Sequence, residues 1–166
     1  MATSSVYWCL FLCLIAFILT SCSAHRITKQ YAERKFNHGG LKDHLVTIDA
    51  FQIEYWDSES EKPPIVLVHG FGTSPTIQWF RQVKALSETH RVIVPNLLYF
   101  GDSRPIGLAR YELQSQVDLV KALLKYLEIE SYVLCGVSYG GLVAGEVARQ
   151  SETQIEKLIL FDAPLK

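Results

Sequence analysis

The 166 residues carry 16 Lys+Arg against 17 Asp+Glu, a net charge of −1, so no global field recommends nucleic acid or an acidic surface as partner. Hydrophobic residues at 49% and charged residues at 20% match a globular protein and exclude wholesale disorder. One main domain is the expectation at this length.

The chain opens on an apolar leader. Residues 1–24 contain no Asp, Glu, Lys or Arg, and Val6 to Leu19 is continuously apolar. Those 14 residues are fewer than the ~20 that span a bilayer, and they suit a signal-peptide core. Thr20-Ser21-Cys22-Ser23-Ala24 supplies small residues for cleavage after Ala24, while Leu19-Thr20-Ser21-Cys22 resembles the lipobox of bacterial lipoproteins. The first strong charges, Arg26, Lys29, Arg34 and Lys35, follow the run, which by the positive-inside rule favours an anchor with the domain on the cytoplasmic side. A signal peptide, a lipid anchor and a single membrane anchor therefore stay open, with a secreted or membrane-associated protein expected. Three of the four cysteines lie in this leader, and Cys135 alone cannot make an internal disulfide.

Residues 25–42 are polar, mixed in charge, and read as a linker ending Asn37-His38-Gly39-Gly40. The alternation from Leu45 to Asp57 predicts two short strands meeting near Asp49-Ala50. Ile65–Val68, Val92–Val94, Tyr132–Cys135 and Leu158–Phe161 are apolar runs of strand length. Between them, Trp79–Leu86 predicts a short helix. Tyr111–Leu127 predicts a longer one, with Leu113, Val117, Val120, Leu124 and Leu127 as its apolar stripe. Tyr139–Gln150 reads as a helix of small residues. Alternating buried strands and helices predict an α/β fold, a mostly parallel sheet with helices on both faces, over residues 43–166.

The chemistry concentrates at Gly136-Val137-Ser138-Tyr139-Gly140-Gly141, between a predicted strand and a predicted helix. A Gly-x-Ser-x-Gly there is a nucleophile elbow: the sharp turn strains Ser138 and projects its hydroxyl at a helix N-terminus. Glycines flank it because side chains would strike the neighbouring strand or helix. His69-Gly70-Phe71-Gly72 closes the strand Ile65–Val68 and leaves backbone N–H groups free above the strand ends. The functional reading makes the N–H groups of Phe71 and Tyr139 a pair of oxyanion donors. His69 reads as a structural hydrogen-bonder before a tight turn rather than a base. Phe71, Tyr139, Trp79 and Tyr99 are candidates to line an apolar acyl pocket, with ordinary core packing the alternative for Trp79 and Tyr99.

These motifs, with Asn96-Leu97-Leu98-Tyr99-Phe100-Gly101-Asp102-Ser103 and Leu160-Phe161-Asp162-Ala163-Pro164, resemble the N-terminal half of an α/β-hydrolase-fold serine hydrolase of the esterase and monoacylglycerol-lipase-like branch. The resemblance implies Ser138 as nucleophile, an ester or acyl-lipid substrate and no cofactor. Serine at the elbow disfavours the epoxide hydrolase and haloalkane dehalogenase branches, whose nucleophile is aspartate. It also implies that Asp102 bonds loop backbone, and that Asp162 lies where a minority of members carry the acid. The family's triad runs Ser, acid, His, yet all five histidines precede Ser138 in these residues. Loss of the base costs about a million-fold in turnover. The readings are a fragment of a hydrolase, a chain completed by another polypeptide, and a non-catalytic ligand-binding or interaction module.

Overall fold

The computed structural model describes residues 7–8, 26–107, 111–151 and 155–164. Most of the leader lies outside these residues. Among the described residues, no helix is long and apolar enough to cross a membrane.

Strands β1 (Lys42–Ile48) and β2 (Phe51–Asp57) form an antiparallel hairpin in which Ile48 pairs with Phe51. The two-residue turn places Asp49 at φ 50°, in the left-handed region that Asp tolerates better than most residues. Strands β3 (Pro64–Val68), β4 (Arg91–Pro95), β6 (Tyr132–Val137) and β7 (Ile155–Phe161) run parallel, and a short β5 (Arg104–Pro105) pairs with β2. The sheet order is β1-β2-β4-β3-β6-β7. The chain thus leaves β3 for β4 on one side and returns past it to β6 on the other. That reversal makes a crevice at the carboxyl end of β3, where open α/β sheets bind ligands.

Period-2 alternation sorts the strand side chains into two cores. Val66, Val68, Ile93 and Leu134 face α4 (Leu113–Tyr126) and α5 (Tyr139–Gln150), packing with Val117, Val120, Leu123, Val143 and Val147. Ile65, Leu67, Val92, Val94 and Cys135 face the other way, onto Phe36, Trp79 and Val83. Helices therefore cover both faces, as the alternating pattern predicts. On α4 the buried stripe is Gln116, Val117, Leu119, Val120, Leu123 and Leu124, so the predicted terminal members Leu113 and Leu127 only flank it.

Three features depart from the sequence reading. Residues 26–38, read as a linker, form a helix (α1) whose Ala32 and Phe36 are fully buried, Phe36 packing edge-on against Trp56 at 5.2 Å. Its two buried positions are four apart, a signal hidden among charges that stay solvated on the outer side. The single helix predicted over Trp79–Leu86 is two, α2 (Pro75–Trp79) and α3 (Val83–Ser87). The Ser74 side chain caps α2 and Pro75 opens it, which moves its start ahead of the apolar run. Strand β7 is not buried on both faces: it borders the sheet among the described residues, with Leu158 and Phe161 exposed.

The hairpin is tied down by a buried ion pair. Asp57 is 2% exposed and receives Nε and Nη2 of Arg91 in a fork, the closest contact being 2.6 Å. The second core makes α1 part of the domain, and this is measurable. Phe36→Ala is expected to lower the unfolding free energy of the protein by about 3–5 kcal/mol in a denaturant titration, the range for emptying a buried aromatic site. A change near zero would place α1 outside the cooperative unit.

Candidate active site

The site forms where β3 and β6 end side by side. Val68 pairs with Gly136, so the loops after the two strands leave the sheet as neighbours. Ser138 caps α5 at φ 52°, ψ −120°, a conformation that a non-glycine residue holds only at a cost of order 1–3 kcal/mol. Its backbone N–H donates to Phe161 O at 2.9 Å, which fastens the turn to β7, while the side chain is exposed. A Cβ on Gly136 would come 2.8 Å from Ala144 Cβ, one on Gly140 would come 2.5 Å from Val68 O, and one on Gly141 would strike Ala163. These absences let α5 sit directly on the strand ends.

The loop after β3 closes over the same point. An added Cβ on Gly70 would lie 3.5 Å from Ser138 Cβ, so this loop passes against the serine. The Phe71 ring packs edge-on against Tyr139 at 6.3 Å and against Phe100 at 5.8 Å. Phe71 is 69% exposed despite this, leaving an aromatic wall beside Ser138. Burial first, then the neighbouring Tyr111 hydroxyl, push the Tyr139 phenol above its ordinary pKa, so it stays neutral. The N–H of Tyr139 opens α5, where the helix leaves its first amides without internal partners.

His69 is fully buried between the two loops. Its Nδ1 lies 2.8 Å from Gly70 O and its Nε2 accepts from the Leu97 N–H at 3.1 Å, so the first nitrogen carries the proton. Burial lowers its pKa to about 4, partly opposed by the bond to Gly70. With both nitrogens committed, His69 is a brace between loops. The other described histidines lie elsewhere: His38 ends α1, His44 stacks on Tyr55 in the hairpin, and His90 bonds Thr89 beside β4.

The loop after β4 is held by two residues the sequence reading missed, and one of them corrects the role read for Asp102. The carboxylate that bonds loop backbone belongs to Glu54, whose Oε2 accepts from the Asp102 N–H at 2.6 Å and from the Asn96 side chain. Asp102 itself contributes only backbone, its carbonyl accepting from Gln52 at 3.1 Å. Gln116, fully buried on α4, accepts from the Leu98 N–H at 2.8 Å. A polar residue inside an apolar helical stripe is the available sign for Gln116; Glu54, remote in the chain from every motif, gives none. Of the acyl-pocket candidates, Phe71 and Tyr139 meet at Ser138, and Tyr99 lies beside Tyr111 at 5.2 Å. Trp79 does not: it is buried in the second core. Asp162 follows the carbonyl that fastens Ser138 and is exposed, at φ 48°. Among the described residues no group of His, Cys, Asp and Glu is placed to hold a metal. A cavity of about 840 Å³ is lined by Tyr132, at the opposite end of β6 from the serine.

A family model described as the alpha/beta hydrolase fold matches residues 63–166. The chain belongs to this family. A probable 1-acylglycerol-3-phosphate O-acyltransferase of Oryza sativa subsp. japonica is 33% identical over 109 residues, covering 63% of this chain and 26% of the relative. The 2-hydroxymuconate semialdehyde hydrolase of Pseudomonas sp. (strain CF600) is 33% identical over 100 residues, covering 59% and 35%. A crystallised membrane phospholipase A, a bacterial virulence factor, superposes with a TM-score of 0.76 at 28% identity, over 99% of this chain and 53% of its own. The chain thus spans between a quarter and about half the length of these alpha/beta hydrolase relatives.

Two outcomes follow from this geometry. Because the folded pKa of His69, about 4, lies below the ordinary 6.5, the unfolded chain binds more protons between those values. The brace therefore contributes fully above pH 6.5, and up to about 3 kcal/mol is lost as pH falls toward 4. Denaturant titrations from pH 7 to 4 read this loss, and His69→Gln is expected to flatten that segment of the curve. Ser138→Gly, which relieves the positive φ, is expected to stabilise the fold by about 1 kcal/mol in the same titration.

Proposed function

We propose that the chain is the nucleophile-bearing portion of a serine hydrolase that acts on carboxylic esters or acyl lipids. The observation that carries the reading is Ser138 itself, held at φ 52°, ψ −120° on the turn from β6 into α5 with its side chain exposed. Backbone strain of this size persists where the surroundings over-determine it, and such positions cluster at active sites. The relatives named above include a hydrolase, an acyltransferase and a phospholipase, which supports acyl chemistry as the common class.

In this reading Ser138 Oγ attacks the acyl carbonyl and gives its proton to a base. The carbonyl oxygen becomes an oxyanion between the Phe71 and Tyr139 N–H groups, donors worth roughly 3–4 kcal/mol each to the transition state. The alcohol departs with the proton from the base, leaving an acyl ester on Ser138 that water then hydrolyses. His69 takes no part, since its two nitrogens are used within the fold. This reading assigns neither the base nor the acid to a described residue. The leader is proposed to send the protein to a membrane or across one, as a cleaved signal, a lipid anchor or a single anchor.

The alternative is a non-catalytic module on the same fold. One assay separates the two. A fluorophosphonate is expected to label the native protein, with labelling abolished in Ser138→Ala; an unlabelled native protein would leave the second reading standing.

A further inference from the structure

The loop between β4 and β5, residues 96–103, is clamped at both ends to one residue of β2. At its start the Asn96 N–H donates to the Glu54 carbonyl at 2.9 Å, and the Asn96 side-chain amide donates to Glu54 Oε2. At its end the Asp102 N–H donates to the same Oε2 at 2.6 Å, and the Glu54 N–H donates to Ser103 Oγ at 2.9 Å. Gln52, two residues earlier on the same face of β2, adds a bond to Asp102 O at 3.1 Å. A Cβ on Gly101, which has φ 55°, would overlap the Glu54 carboxylate, so the loop lies directly on that group. Between the clamps the loop closes on itself. The Phe100 N–H donates to Leu97 O at 3.0 Å, the Ser103 N–H to Phe100 O at 3.1 Å, and the Tyr99 N–H to Ser103 O at 2.9 Å.

This closed loop braces the loop after β3 at three points. The Leu97 N–H donates to His69 Nε2 at 3.1 Å, and the Phe100 ring packs edge-on against the His69 ring at 4.7 Å and the Phe71 ring at 5.8 Å. In the hydrolase reading the Phe71 N–H is one of two donors to the oxyanion, and the loop that carries it passes against Ser138 at Gly70. A route of packed groups therefore runs from the Glu54 carboxylate through Phe100 to that donor. Shifting such a donor by about 1 Å weakens a bond made mainly in the transition state, so turnover suffers more than substrate binding.

Resting on the serine hydrolase reading above, we propose that Glu54 is a positioning residue for that reaction: by holding both ends of residues 96–103 it fixes the Phe100 ring, and through that ring the place of the Phe71 N–H. The test measures kcat and KM for p-nitrophenyl butyrate on the native protein, with reactive Ser138 counted by fluorophosphonate titration. Glu54→Leu is expected to lower kcat by about ten-fold or more, with KM changed by less than about two-fold. Glu54→Gln is expected to recover most of that loss, because both donors meet the single oxygen Oε2 and an amide oxygen can accept both. Glu54→Asp, whose shorter arm withdraws the oxygen from both donors, serves if Glu54→Leu does not fold. A lower melting temperature or a smaller titratable fraction, with kcat per reactive serine at the native value, is the mark of a merely structural clamp and overturns the proposal. Phe100→Leu reads the route. Added to the Glu54 variant, it is expected to cost no more in kcat than the larger single loss; losses that multiply would reveal two separate effects and overturn the route. Failure of the native Ser138 to take the fluorophosphonate, with the ester uncleaved, overturns the hydrolase reading and this inference together.

Discussion

The close approach of α5 to the ends of β3 and β6 is the constraint on which the rest of the structure depends. The helix begins one residue after the strand ends, so its first turn lies against the Val68 and His69 carbonyls. No side chain fits in that gap, which is why glycine occupies 136, 140 and 141. The same approach forces Ser138 into positive φ, because the chain must reverse within a single residue. Ser138 is therefore exposed and strained for one reason, and the bond from its N–H to Phe161 O ties the turn to β7.

Around that point the loops are held by side chains buried between them rather than by loop–loop backbone ladders. His69 joins the loop after β3 to Leu97, Gln116 joins α4 to Leu98, and Glu54 joins β2 to Asp102 and Asn96. His69 and Gln116 are fully buried, so each of their bonds is stronger than its equivalent in water and more damaging when broken, while Glu54 is half-buried. A neutral His69 suits this role: a charged imidazole would be desolvated and would lose the acceptor that receives the Leu97 N–H. The His69 bond to Gly70 O also holds the loop that carries Phe71.

The environment of Ser138 is asymmetric. The rings of Phe71 and Tyr139 pack together beside it, while Asn96, Glu54 and residues of α1 line a cavity of about 380 Å³ with Gly72, in the loop that carries Phe71. Helix α1 matters here for more than packing. Phe36 anchors it in the second core, and that anchoring brings Lys29 and Glu33 to the cavity rim. The segment that joins the apolar leader to the domain thus also shapes the ground beside the candidate nucleophile.

The sequence by itself determined the α/β class, the strands and the elbow, because period-2 alternation and a glycine-bracketed serine are local patterns that survive without knowledge of partners. It also separated His69 from a catalytic role on the strength of the tight turn that follows it. Residues 26–38 show how local reading ends: with Phe36 and Ala32 surrounded by charges, only the packing of Phe36 against Trp56 reveals a helix. Glu54 and Asn96 are 42 positions apart and meet only because β2 lies beside β4, so no spacing rule could have joined them. The same holds for Trp79, an aromatic near the right loop that the packing of α2 turns into the core. Which residue types carry chemistry is written in short motifs; which of them share a site depends on strand order, and strand order is a property of the tertiary fold.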